Sequence, residues 1–171
     1  NIRHNFDEDD HAVFLSGNGP LVAVLQEALA RDEYEYSGHA IKKSEALRKT
    51  RAFIQLIHHF RDEALNDEKQ PPHDKIAIFD EAQRAWTLEQ TSKFMLTKKG
   101  QPGSNKSEPE FLIDYMDRHK DWAVIICLVG GGQEINVGEA GLSVWFNALR
   151  KRFPNWMVYL SNKITDSEYA G

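Results

Sequence analysis

The chain has 171 residues, a single cysteine and a formal charge of −5, which suits one compact domain of ordinary size and excludes a protein that gathers polyanions by its overall charge, so that any such site has to be a local basic patch. One cysteine, Cys127, excludes an internal disulfide and fits a reducing, cytoplasmic compartment, where a thiol inside an apolar run is expected to be buried and inert. No apolar run is long enough to span a bilayer, and no basic segment followed by an apolar stretch opens the chain, so neither a membrane partner nor a signal peptide is expected.

Residues 1–11 are polar and carry the acidic run Asp7-Glu8-Asp9-Asp10, a solvated turn. The first residue is Asn, and the chain is expected to be a piece of something longer. Ala12–Ser16 reads as a short strand, ended by the breaker Gly17-Asn18-Gly19-Pro20, with Pro20 suited to the first turn of a helix. Leu21, Val24, Leu25, Ala28 and Leu29 then follow helical spacing and predict one apolar face. Residues 31–51 are polar and partly basic, with Lys42, Lys43, Arg48, Lys49 and Arg51. Phe53, Leu56, Ile57, Phe60 and Ala64 predict a second amphipathic helix, and the loop around Pro71-Pro72 leads into the apolar run Lys75–Phe79.

Beyond Phe79, Thr87 and Gln90 have capping-box spacing for a short helix ending near Met95. Residues 98–107 are rich in Gly, Lys and Ser. Ser107, Pro109 and Glu110 make a helix start, with Phe111, Leu112, Tyr115 and Met116 as its buried side. Trp122–Val129 reads as a second central strand closed by Gly130-Gly131-Gly132. A helix follows with Leu142, Trp145, Phe146 and Leu149, and then a last strand at Trp156–Leu160. Strands alternating with helices predict a parallel α/β sheet with right-handed crossovers.

Two strand-end motifs carry candidate chemistry. The run Lys75–Phe79 stops abruptly at Asp80-Glu81. A run of this kind suits a strand buried on both faces, and a carboxylate pair at its carboxyl end lies where open α/β sheets bind ligands. There an Asp can hold Mg²⁺ and a following Glu can orient a water, although the same pair also fits a strand that simply ends in a solvated acidic turn. The second motif is Gly130-Gly131-Gly132-Gln133-Glu134. Its glycines let the backbone turn close to a ligand, and Gln133 offers both a donor and an acceptor, suited to linking a terminal phosphate to an attacking water. His58-His59 point in different directions on a helix and are not expected to share one ion. The basic cluster Lys42–Arg51, with Glu45 interleaved, fits either a solvated helix face or a track for a nucleic-acid backbone.

The string Asp80-Glu81-Ala82-Gln83-Arg84-Ala85-Trp86 resembles the Walker B motif of superfamily-1 helicases. With Phe14–Val22, His58–Glu63, Glu108–Ile113, Asp121–Ile125, Gly130–Asn136 and Gly138–Leu142, the chain resembles a bacterial family of domains of unknown function similar to the Schlafen group-3 DNA/RNA helicase domain. The resemblance implies one partial, three-layer RecA-like NTPase domain over residues 1–171, with helices on both faces of a parallel sheet. It implies ATP and Mg²⁺ as cofactors and DNA or RNA as partner in the full-length parent. Asp80 would hold Mg²⁺ through water, Glu81 would be the catalytic base, and Gln133 would sense the γ-phosphate. Gln83 and Arg84 would couple the nucleotide to neighbouring motifs, with Gly131 and Gly132 in the phosphate-facing turn. Phe14–Pro20 would correspond to motif Ia.

The chain departs from the family in one respect: it contains no GxxxxGK[ST]. Its nearest string, Gly100–Ser107, has Asn105 where the second glycine belongs and follows no apolar strand, so it does not qualify as a phosphate loop. The true loop is expected one helix before residue 1, and its strand between the strand that ends at Gly130 and the final one. Without that strand, the two flanking strands are expected to pair directly, to gape apart or to accept a strand from another chain, for example in a dimer. The fragment alone is expected to have almost no ATPase activity. Two other functions fit the same residues: a Mg²⁺-dependent nuclease using Asp80, Glu81 and Glu134, and a non-catalytic interaction module.

Overall fold

A computed structural model describes residues 12–66, 69–99, 105–130 and 141–162. The elements, in chain order, are strand β1 (Ala12–Ser16), helices α1 (Gly19–Tyr36) and α2 (Lys43–Phe53), strand β2 (Ile54–Leu56), helix α3 (Ile57–Asn66), strand β3 (Ile76–Phe79), helices α4 (Leu88–Phe94) and α5 (Glu108–Met116), strand β4 (Val124–Cys127) and helix α6 (Gly141–Arg152). The four strands form one parallel sheet in the order β2-β1-β3-β4, so the α/β, RecA-like architecture expected from the sequence is present. The chain divides into two compact units. One holds the described residues up to Asp80 together with Met116–Ile126; the other holds Glu81–Tyr115 and the described residues from Cys127 onward.

In the first unit β1 is central. Val13 and Leu15 are fully buried, and Phe14 and Leu15 stand beside Ile78 and Phe79 of β3 on one side and Ile54 and Gln55 of β2 on the other. From β1 the chain moves to β2 on one edge, then crosses back over β1 to β3. The direction of strand addition therefore reverses between β1 and β3, and their carboxyl ends mark the topological switch point. Asn18 starts α1 by accepting the Leu21 N–H on its side chain at 3.2 Å and the Val22 N–H on its carbonyl at 3.0 Å. The lead-in to β4 is clamped to the start of β3: the Val124 N–H donates to the Lys75 carbonyl at 2.8 Å, and the Lys75 ammonium donates to Asp121 while lying over the Trp122 ring.

Three expectations need correction here. Residues 54–56 are a strand, not the start of a helix, because pairing with β1 overrides the helical spacing; Phe53 is left exposed and α3 begins at Ile57. The buried face of α1 is not the Leu21–Leu29 stripe. Val22 and Ala30 are buried, and Gln26 between them donates to the Ile54 carbonyl at 2.7 Å, whereas Leu21, Val24 and Leu29 are exposed. Helices α1 and α2 pack against each other, with the small Ala30 and Ala46 both buried. Nor is Trp122–Val129 a second central strand: β4 spans only Val124–Cys127 and lies at the edge of the sheet, with Val124 and Ile126 exposed and Ile125 and Cys127 half-buried.

In the second unit the two expected helix starts are present. Thr87 and Gln90 make a reciprocal capping box at the start of α4. At α5 the Ser107 N–H donates to the Glu110 carboxylate at 2.8 Å, and the Glu110 N–H donates back to the Ser107 hydroxyl at 3.3 Å. The buried residues of α5 include Leu112, Tyr115 and Met116 as expected, but Ile113 takes the place assigned to Phe111. Trp145 and Ala148 are the buried residues of α6. Trp156–Leu160 forms no strand: it pairs with no strand of the sheet, and Met157, Val158, Tyr159 and Leu160 are exposed.

Candidate functional site

Asp80 stands at the carboxyl end of β3, at the switch point. Its N–H donates to the Leu15 carbonyl at 2.9 Å, which continues the parallel ladder by one residue, and its carboxylate accepts from the Ser16 hydroxyl at 3.4 Å. The same hydroxyl accepts the Asn18 N–H at 3.2 Å, so Ser16 ties the acidic strand end to the turn that opens α1. A Cβ at Gly17 or Gly19 would meet nothing within 4 Å, which leaves this turn open. A carboxylate beside a hydroxyl is a set of hard oxygen donors, the kind that suits Mg²⁺ when the remaining ligands are water and phosphate. Among the described residues no group of three or more acidic, His or Cys side chains gathers that could enclose an ion by itself.

Glu81 belongs to the second unit and has a left-handed backbone, φ 52° and ψ 47°, unusual for a residue with a long side chain. Two interactions hold its carboxylate. The amide of Gln83, itself buried, donates to Oε2, and Arg84 Nε lies 3.5 Å from the same oxygen. The other end of the Gln83 amide accepts the Gly130 N–H at 3.2 Å. A Cβ at Gly130 would stand 3.2 Å from Gln83 Nε2 and 3.2 Å from each Glu81 carboxylate oxygen, so glycine is what allows this close approach. The 3-10 turn Ala82–Arg84 is anchored through both backbone groups of its first residue: the Ala82 N–H donates to the Leu128 carbonyl at 2.9 Å, and the Ala82 carbonyl accepts the Trp145 indole N–H at 2.8 Å.

Of the residues singled out in the sequence, Glu81, Gln83 and Arg84 are thus brought together with Gly130, and Asp80 is brought to Ser16. Gly131, Gly132, Gln133 and Glu134 lie outside the described residues, as does most of the Gly100–Ser107 string. The anchoring role of Trp145 was not legible in the sequence, where it reads as one apolar position of a helix. Ser16 carried a signal, a hydroxyl ending a strand before a glycine turn, but nothing in the sequence pairs it with Asp80. The His58 and His59 rings meet edge-on, with centroids 4.5 Å apart, and are part of no metal cluster among the described residues. Cys127 is half-buried rather than fully buried, and the desolvation of its thiol pushes it up to about 12.

Over residues 1–167 the chain matches the family model of the Schlafen group 3, DNA/RNA helicase domain. The chain belongs to that family. It is therefore a helicase-like, NTPase-related domain, and the family points to nucleic acid as its class of partner. No curated protein and no solved structure matches it. No helix among the described residues of this Schlafen-type domain is long and apolar enough to cross a membrane.

Proposed function

We propose that the chain is part of the ATP-binding and ATP-hydrolysing motor domain of a cytoplasmic DNA- or RNA-remodelling protein, carrying its Walker B and motif III portion. In this reading Asp80 holds Mg²⁺ through water, with Ser16 fixing the orientation of its carboxylate. Glu81 orients or deprotonates the attacking water. Gln83 and Arg84 set the position of the Glu81 carboxylate, and Gln83 links it to Gly130, so that movement at Gly130 is felt at the base. Gln133 reports on the terminal phosphate, with Gly131 and Gly132 allowing close backbone approach. Bound Mg²⁺-ATP supplies the phosphoryl group whose transfer to water drives the motor.

The observation that carries this reading is the Glu81 carboxylate, held by Gln83 and Arg84 on a left-handed backbone directly after a strand-end Asp. Residues held in sparsely populated backbone regions cluster at active sites. The proposal includes low activity of the 171-residue chain alone, which contains no GxxxxGK[ST]. Removal of an arginine finger, normally supplied by a second domain or a partner, by itself lowers the rate ~10³–10⁵-fold. It also includes a covering strand for β4. That edge exposes Val124 and Ile126, and the segment Met157–Leu160 exposes four apolar side chains in a row. A phosphate-loop strand, or a strand exchanged with a second copy, would cover the β4 edge.

The test is ATP turnover by the full-length protein, with and without Glu81→Gln. Loss of a general base is expected to lower the rate by about 10²–10⁴-fold. Unchanged hydrolysis removes Glu81 from this role, and cleavage of nucleic acid without ATP replaces the motor by a nuclease.

A further inference from the structure

Helix α2 and the segment before it hold five cations against the single Glu45, in a chain of net charge −5. All five, Lys42, Lys43, Arg48, Lys49 and Arg51, are exposed. Two are engaged: Lys43 lies over the Tyr34 ring, and Lys49 is 4.0 Å from Glu33. Arg48 and Arg51, three residues apart on the same side of the helix, make no ion pair with any described residue. Arg51 also stands on the rim of an open cavity of about 660 Å³ within the first unit, between α1, β2 and α3. Val22, Ala23 and Ile54 form apolar wall, and Gln26, Gln55 and His59 supply amides and a ring. The Gln55 side chain donates to the Ala52 carbonyl at 2.9 Å, while its buried Oε1 has no hydrogen-bond partner and is free to accept. Glu63, also at the cavity, is raised above the ordinary carboxylate range by burial and by Asp74, against a smaller opposing pull from His59, which favours a form able to donate a hydrogen bond.

A guanidinium pair beside an apolar slot with amide donors and acceptors matches a polymer that alternates anionic and planar heteroaromatic groups. We propose that Arg48 and Arg51 bind consecutive phosphates of a single-stranded nucleic acid and that the cavity beside Arg51 receives one of its bases. This rests on the nucleic-acid reading above and gives it a location. Arginines supply the sequence-independent, salt-sensitive part of such binding, and the slot supplies stacking and edge contacts. A double strand, whose bases are paired and stacked, cannot fill the slot.

The experiment is fluorescence anisotropy of a labelled single-stranded oligonucleotide on the full-length protein over a range of salt. The double variant Arg48→Glu/Arg51→Glu is expected to bind at least about tenfold more weakly at low salt. It should lower the slope of log K against log salt by about 1.4, two phosphates at about 0.7 each. Ala23→Phe, which fills the slot, is expected to weaken binding about fivefold or more with the salt slope unchanged. Lys93→Glu, an exposed cation on α4, is the control and should change neither. If the double variant fails to fold, the neutral pair Arg48→Gln/Arg51→Gln replaces it, with the same expectation for the slope. Binding by the unaltered protein that survives these arginine changes overturns the location and leaves nucleic acid as the partner. An unaffected Ala23→Phe overturns the base in the cavity. No binding by the unaltered protein, with or without ATP, overturns the location and the nucleic-acid reading together.

Discussion

The side-chain carbonyl of Gln83 accepts the Gly130 N–H at 3.2 Å while its amide nitrogen donates to Glu81. One buried amide thus reads two strand ends, the acidic one and the glycine one. Gln83→Ala leaves the Gly130 N–H and one lone pair of the Glu81 carboxylate without these partners. The loss is expected to destabilise the protein by about 1–3 kcal/mol, measured by urea denaturation. An effect below a few tenths would mean that water replaces both bonds.

The left-handed backbone at Glu81 predicts an inverted preference for glycine. Glu81→Ala and Glu81→Gly both remove the carboxylate, but only glycine relieves the backbone. The glycine variant should be the more stable of the two by about 1 kcal/mol, although glycine lowers stability at most other positions. Both should be inactive in ATP turnover. Equal stability would place φ at this residue outside the left-handed region.

The Lys75 ammonium, the Trp122 N–H and the nearby charge hold the Asp121 carboxyl at about 2, below its ordinary value of 3.8. A depressed carboxyl favours the folded state above the ordinary value, and its contribution is lost as pH falls toward about 2. Nuclear magnetic resonance titration of the Asp121 carboxyl should find that low midpoint. In Lys75→Met it should return most of the way to the ordinary value.

Cys127, raised to about 12 by burial, should not react with a disulfide reagent at pH 8 in the folded protein, because only the thiolate attacks. Full reactivity should return in denaturant. Rapid labelling of the native protein would mean that the β4 edge opens.

Much of the α/β pattern was legible because local rules decided it. Ala12–Ser16 ends at a glycine turn, Thr87 and Gln90 cap one helix and Ser107 and Glu110 another, and each device acts within a few residues. Contacts between distant parts of the chain were not legible. Helical spacing in residues 53–64 gave no sign that 54–56 would pair with β1, and the Leu21–Leu29 stripe did not reveal that α1 would turn Val22 and Ala30 inward.

The same division holds at the candidate site. Sequence alone determined that an Asp-Glu pair would follow an apolar strand, that Gln83 and Arg84 would stand two and three residues after Glu81, and that Gly130 would follow another strand, because chain order and side-chain chemistry suffice for that. Only the tertiary structure decided that Ser16 would reach Asp80 across 64 positions, that Gln83 would span Glu81 and Gly130, and that Trp145 would hold the turn between them. Those partners are chosen by strand register and helix packing, which depend on the whole core and leave no mark in the local spacing of residues.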